Sequence, residues 1–173
     1  MSGTRQVFLS YSKQNSVFAE LVKLKLEREG MSVWIDNISV SSGTPWRRAI
    51  DAGILESDVV VILFDSFSVK SLYVTYEWAF ALGSNKSIIP VLVEDCDIHA
   101  RINVLQYLDF RNKDNMPWDS LISQIKSISS NNQEKGGKEL SLSISDFEKI
   151  VQAAIGLIAK GDVDVIITIL WRP

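Results

Sequence analysis

The run Val59–Phe64, VVVILF, limits the fold more than any other stretch of this chain. An unbroken apolar segment rich in β-branched side chains reads as a strand. No alternate position is polar, so both faces must be covered. That is the environment of a parallel strand packed between helices.

The remaining segments supply those helices. Val7–Tyr11 reads as a short buried strand. Asn15 is placed as the N-cap of a helix carrying Val17, Phe18, Leu21, Val22, Leu24 and Leu26, and Gly30 stops that helix after the charged turn Glu27–Arg28–Glu29. Met31–Asp36 is a second strand and Asn37–Thr44 a polar loop. Thr44 with Pro45 opens a helix that carries Trp46, Ala49, Ile50 and Leu55. After Val59–Phe64 come a polar loop, Asp65–Lys70, and an unusually apolar helix, Ser71–Gly83. Ser87–Val93 is the fourth strand, with Pro90 where a ladder bond is expected to be missing. Glu94–Asn103 is irregular, Gln106–Phe110 a short fifth strand, and Pro117–Lys126 a closing helix. Strands alternating with helices predict an α/β fold, doubly wound around five parallel strands. Ligands of such sheets sit beyond the carboxyl ends of the strands, where strand order reverses. Ser10, Tyr11, Asp36 and Asp65 lie at those ends.

The chain is expected to divide into a main domain, 1–126, a linker, 127–138, and a small helix–strand unit, 139–173. SISSNNQEKGGK is a linker by composition. Beyond it Ser145 and Glu148 form a capping box, and Phe147, Ile150, Val151, Ala154, Leu157 and Ile158 line one helix face. Val163–Leu170 follows as a strand. Such a unit cannot bury its own apolar face, so it is expected to serve oligomerisation or an accessory role.

Net charge is −3 over 173 residues and no basic tract occurs, so the footprint of a nucleic-acid binder is missing. No apolar run approaches the ~20 residues of a membrane span. No signal peptide is read at the start, and Cys96 stands alone, which fits a cytoplasmic setting and excludes an internal disulfide or multi-thiolate metal site. The nearby Cys96 and His99 carry no nucleophile–base signature and read as a surface-loop coincidence. No G-x-G-x-x-G follows the first strand, no acidic cluster of a receiver domain follows it either, and no G-x-S-x-G occurs.

The helix LYVTYEWAFAL, Leu72–Leu82, holds one charged residue, Glu77. Among Tyr, Trp and Phe a carboxylate faces desolvation, which raises its pKa. Two readings stand. Glu77 points to water on the wet face of the helix, or it is held for a task. At a strand-end cleft it could accept hydrogen bonds from sugar hydroxyls and stabilise an oxocarbenium-like centre. Its aromatic neighbours could stack on a base or a pyridinium ring.

VFLSYSKQN at 7–15, SVWIDN at 32–37, SGTPW at 42–46, VVVILFDSFSVKS at 59–71, the glutamate of SLYVTYEWAFAL and IIPVLVED at 88–95 together resemble a TIR domain, in the family's order and spacing. The resemblance covers about residues 5–126. It implies a flavodoxin-like sheet of five parallel strands. Many members cleave NAD+ at the nicotinamide–ribose bond, and some make cyclic ADP-ribose isomers. Their catalytic glutamate lies on the third helix, which implies that role for Glu77. Ser10 and Tyr11 at the end of the first strand, Asp36, Trp46 after the flexible loop, and Tyr73 are the implied substrate-binding residues. NAD+ is then the substrate, no further cofactor or metal is required, and self-association through TIR–TIR contacts activates the site. Defence or signalling is the implied setting, and the resemblance is to bacterial-type, NAD+-cleaving members. Other members are non-catalytic adaptors, the alternative class.

Three positions depart from the family pattern. Tyr73 stands where NAD+-cleaving members often have Trp, Asn15 where many have Asp, and Asp65 where many have Ser. Asp65 adds negative charge near the expected cleft, which could hold a ribose or repel a pyrophosphate. Arg47 and Arg48 follow the loop and could reach phosphates. Trp34 and Trp78 are expected in the core and Trp118 as a helix anchor.

Overall fold

The computed structural model describes residues 4–35 and 46–128, with Trp46 in its backbone alone. The chain divides into two compact units, Met1–Gln133 and Glu134–Pro173, and every described residue belongs to the first. The capping residues Thr44 and Pro45, the helix–strand unit at 139–173 and all of the expected linker beyond Ile128 lie outside the described residues.

The elements run β1 (Gln6–Ser10), α1 (Ser16–Arg28), β2 (Ser32–Ile35), α2 (Trp46–Glu56), β3 (Val59–Phe64), α3 (Leu72–Gly83), β4 (Ser87–Leu92), α4 (Ala100–Asn103), β5 (Leu108–Asp109) and α5 (Trp118–Ser127). Five parallel strands lie in the order β2-β1-β3-β4-β5. The doubly wound α/β sheet expected from the alternation is therefore the observed fold. All six residues of β3 are buried, since β3 is central and helices cover both its faces. β5 is shorter than Gln106–Phe110 because only two residues pair with β4. Pro90 pairs in register with Ile62 of β3 and lies one residue short of the β4–β5 ladder, so β5 asks nothing of it.

The pleat sorts side chains between two cores. Val7, Leu9, Val59, Val61, Leu63, Ile89 and Val91 pack with Ala19, Val22 and Leu26 of α1 and with Leu121 and Ile125 of α5. Phe110, Phe18 and Trp118 close that layer; Trp118 meets Phe110 edge-on at 5.0 Å, as expected of an anchor. The alternate residues of β1, Phe8 and Ser10, face the layer of α2 and α3. There Phe8 stacks on Trp34 at 4.7 Å and Gly53 of α2 lies against both rings.

Two helix faces depart from expectation. On α1 the buried residues are Ala19, Val22 and Leu26, whereas Val17, Leu21 and Leu24 are exposed. The apolar residues of α1 form two stripes, and the sheet with α5 covers only one. On α2 the buried positions are Ile50, Gly53 and Ile54, whereas Ala49 and Leu55 are exposed.

Helix ends follow known chemistry. Gly30, at φ +80°, closes α1 in a Schellman motif: its N–H donates to the Glu27 carbonyl and that of Met31 to Leu26, and Met31 and Leu26 are both buried. Asn85, at φ 53°, closes α3 the same way, with bonds from Asn85 to Leu82 and from Lys86 to Ala81. The end of α2 is held from outside by the Lys86 ammonium, which donates to the carbonyls of Leu55 at 2.5 Å and Ser57 at 2.9 Å. Lys86→Met removes both charge-assisted bonds and is expected to lower stability by about 1–2 kcal/mol. Urea unfolding should show a lower midpoint at unchanged slope; an unchanged midpoint would refute this role for Lys86.

Candidate active site

Strand order reverses between β1 and β3, so the crevice at their carboxyl ends is the fold's ligand position. Ser10 ends β1 there, turned toward the α2–α3 layer and 1% exposed. The neighbouring helix α3 starts at Ser71, whose hydroxyl accepts from the backbone N–H of Val74 at 3.3 Å. Helical spacing then lines up Val74, Glu77, Trp78 and Ala81 on the buried side of α3. Glu77 is 3% exposed, so it does not lie on the wet face of the helix. The Ser10 hydroxyl donates to Glu77 Oε2 at 2.5 Å, joining residues 67 positions apart. A carboxyl group taken from water requires such a partner, and Ser10 at the carboxyl end of β1 supplies one.

Tyr73 lies one turn before Glu77 and is 43% exposed. With Phe67 (53%) and Leu72 (56%) it gives the start of α3 an open aromatic and aliphatic surface. Tyr11 is partly buried against the α1–α5 core, on the face of the sheet opposite to Ser10. Asp36 and the side chain of Trp46 lie outside the described residues. Arg47 is partly buried and Arg48 exposed in the first turn of α2.

Asp65 has a structural assignment. Its Oδ1 accepts from the backbone N–H groups of Phe67 at 2.9 Å and Ser68 at 2.6 Å, and its Oδ2 from the Asn15 amide at 3.0 Å. Its own N–H donates to the Ser68 hydroxyl at 2.7 Å. Asp65 thus builds the turn that leads from β3 to α3 and ties it to the start of α1. Asn15, expected to cap α1 through its side chain, sits at the N-cap position but makes no such bond. A 3-10 turn, Lys13–Asn15, precedes α1 and leaves Asn15 at φ −107°, ψ 28°, outside the extended conformation a capping residue needs. Its amide serves Asp65 instead.

Cys96 and His99 do not form a nucleophile–base pair. His99 Nδ1 accepts from the Arg101 N–H at 3.2 Å, capping α4, and the ring packs on Trp78 at 5.3 Å. Burial, aided by the charges of Asp65, Glu94, Asp95 and Asp97, pushes the Cys96 thiol up to about 11. Alkylation of Cys96 by iodoacetamide at pH 7.5 is therefore expected to run at least ~10-fold slower than that of free cysteine. A rate matching free cysteine would contradict it. Among the described residues no group of His, Cys, Asp and Glu could hold a metal ion, and no helix is long and apolar enough to cross a membrane.

One polar contact at this layer is absent from the sequence-based reading. The Tyr76 hydroxyl donates to Asp51 Oδ1 at 2.5 Å, joining α3 to α2, and Tyr76 stacks on Phe80 with centroids 6.0 Å apart. Burial first, then the Asp51 carboxylate, holds the phenol above its ordinary range, so it remains a donor. No local signal marks this pair, because its members lie on two different helices.

Comparison with known proteins gives three findings. A family model described as TIR domain matches residues 7–125. A probable 2' cyclic ADP-D-ribose synthase from Methanobrevibacter olleyae is 34% identical over 74 residues, which is 42% of this chain but 21% of that protein. Among solved structures, the TIR domain of the Toll-related receptor TRR-2 from Hydra magnipapillata superposes with a TM-score of 0.63 at 23% identity, over 71% of this chain and 99% of that one. The TIR domains of the activated Roq1 resistosome do so with a TM-score of 0.52 at 17% identity, over 71% and 98%.

Proposed function

The chain belongs to the TIR domain family, and from that premise we propose that it cleaves the nicotinamide–ribose bond of NAD+. The observation that carries this reading is the buried Glu77, bonded to Ser10 at the carboxyl end of β1, beside the point where strand order reverses. The printed name of the Methanobrevibacter olleyae relative, a probable cyclic ADP-ribose synthase, supports the same substrate class, although the match spans about a fifth of that protein.

In this reading the C1′–N1 bond breaks and its electron pair leaves with nicotinamide. Positive charge develops on the ribose. The Glu77 carboxylate stabilises that charge and accepts hydrogen bonds from ribose hydroxyls, and Ser10 keeps it aimed. Acceleration follows because the positive charge, on the pyridinium ring in bound NAD+, has moved onto the ribose in the transition state, where the carboxylate meets it. Water then adds to give ADP-ribose, or an internal nucleophile of the same nucleotide adds to give a cyclic isomer; each addition releases one proton. Tyr73 is assigned to stacking on a ring of the substrate, and Asp36 and Trp46 complete the proposed binding set; Tyr11, packed on the opposite face of the sheet from Ser10, is left out of it. Self-association through TIR–TIR contacts is proposed as the activating step.

Chromatography of NAD+ and its products tests this reading, with wild type and Glu77→Gln at low and high protein concentration. Cleavage by wild type alone, rising faster than linearly with concentration, supports both the chemistry and the assembly. A folded, concentrated wild type that leaves NAD+ intact defeats the proposal and brings the adaptor class forward.

A further inference from the structure

We infer that Tyr76 and Asp51 are a positioning pair that sets Glu77 against Ser10, a role that rests on the NAD+-cleaving reading above. Tyr76 directly precedes Glu77 on α3, but the two side chains point to different neighbours. Glu77 belongs to the buried stripe with Val74, Trp78 and Ala81 and meets β1. Tyr76, with Phe80 one turn on, meets α2 through Asp51. The two hydrogen bonds therefore hold consecutive residues of one helix from two directions. Each resists a roll of α3 about its axis, and they act on neighbouring residues from different sides.

The α2 end of this arrangement is itself anchored. Gly53, two residues after Asp51, lies against the Phe8–Trp34 stack, and Lys86 holds the last carbonyls of α2. Asp51 is thus presented from a helix seated on the same strand, β1, that carries Ser10. The chain of contacts closes on itself: Ser10 to Glu77, along α3 to Tyr76, across to Asp51, and through α2 back to β1. A side-chain tip lies about 5–6 Å from a helix axis, so a roll of ~10° carries the Glu77 carboxyl by roughly 1 Å. Displacements of that size change turnover by as much as ~100-fold without altering which groups are present.

The test uses the full chain and three variants. Tyr76→Phe removes the donor, Asp51→Ala removes the acceptor, and Asp51→Asn keeps an acceptor oxygen for the phenol. Turnover of NAD+ is expected to fall at least ~10-fold in Tyr76→Phe and Asp51→Ala, with KM within about twofold. Asp51→Asn is expected to retain turnover within about threefold. A second readout does not depend on catalysis. In protein labelled with 13C at glutamate carboxyls, the Glu77 resonance, identified by its loss in Glu77→Gln, should titrate at a shifted pH in Tyr76→Phe and Asp51→Ala and as wild type in Asp51→Asn. Variants that merely melt earlier, with turnover and the Glu77 titration both as wild type, overturn the inference. So does an Asp51→Asn variant as impaired as Asp51→Ala. If wild type does not cleave NAD+, the functional reading fails by itself. The carboxyl titration then decides the positioning role.

Discussion

Replacement of Glu77 by glutamine is expected to lower NAD+ turnover by about 10²–10³-fold, the usual loss when one electrostatic stabiliser of a transition state is removed. Glutamine has the size of glutamate and keeps a carbonyl oxygen to accept the bond from Ser10, so the buried face of α3, which Glu77 shares with Val74, Trp78 and Ala81, is preserved. What disappears is the charge. Binding of NAD+ does not require that charge to the same degree, so the loss should fall on kcat more than on KM. Alanine at this place is the poorer experiment. It leaves the buried Ser10 hydroxyl without this acceptor and opens a void, at about 1–3 kcal/mol of stability for the unmet bond, so lost folding and lost chemistry would be mixed. A Glu77→Gln protein that turns over NAD+ at the wild-type rate would remove Glu77 from the mechanism.

The largest structural effect is expected at Gly53. A Cβ built there would lie 3.1 Å from two ring atoms of Trp34 and 3.3 Å from the Phe8 ring, and Phe8 is fully buried. Alanine is close to neutral by compensation. It gains about 1 kcal/mol of helix propensity and loses a similar amount as the rings give way. Leucine has the same propensity advantage, but its outer atoms have nowhere to go without lifting α2 from β1. A net loss of about 2–3 kcal/mol is expected, seen as a melting temperature lower by roughly 10 °C. A Gly53→Leu chain as stable as wild type would show that α2 is seated elsewhere.

Much of the fold was legible because period and punctuation agree along the chain. Val59–Phe64 admitted one environment, Gly30 stopped α1 where expected, and Ser71 opened the helix that bears Glu77. What escaped sequence reading depends on neighbours distant in the chain. Val17, Leu21 and Leu24 make as regular a stripe as Val22 and Leu26 do, and only the positions of the sheet and α5 decide which faces inward. Asn15 has the composition of a cap, yet a 3-10 turn ahead of α1 and the carboxylate of Asp65 claim its side chain for another bond. At the candidate site, the isolation of Glu77 among aromatic residues was visible, and burial bears out its departure from a wet-face glutamate. Its partner Ser10 was legible as a strand-end residue and through the family resemblance, but the bond that joins it to Glu77 was not. Tyr76 and Asp51 were invisible, since each is an ordinary residue on its own helix and their meaning lies in the meeting.

The 67-residue separation between Ser10 and Glu77 has a consequence for the nascent chain. Glu77 cannot find its partner until β1 and β3 have paired in parallel and the crossover through α3 has closed over them. Those are non-local contacts, and closing them is slow compared with forming a helix or a hairpin. During synthesis, a ribosome-bound fragment containing β1 and α1 does not yet hold Glu77, whereas one that ends after α3 holds β1, β3 and Glu77 and lacks only β4 and β5 of the sheet. Ser10 and Glu77 therefore meet only once the segment from β1 through α3 has been made and has folded together. For a protein proposed to consume NAD+, this ordering leaves a chain terminated before α3 without the candidate carboxylate.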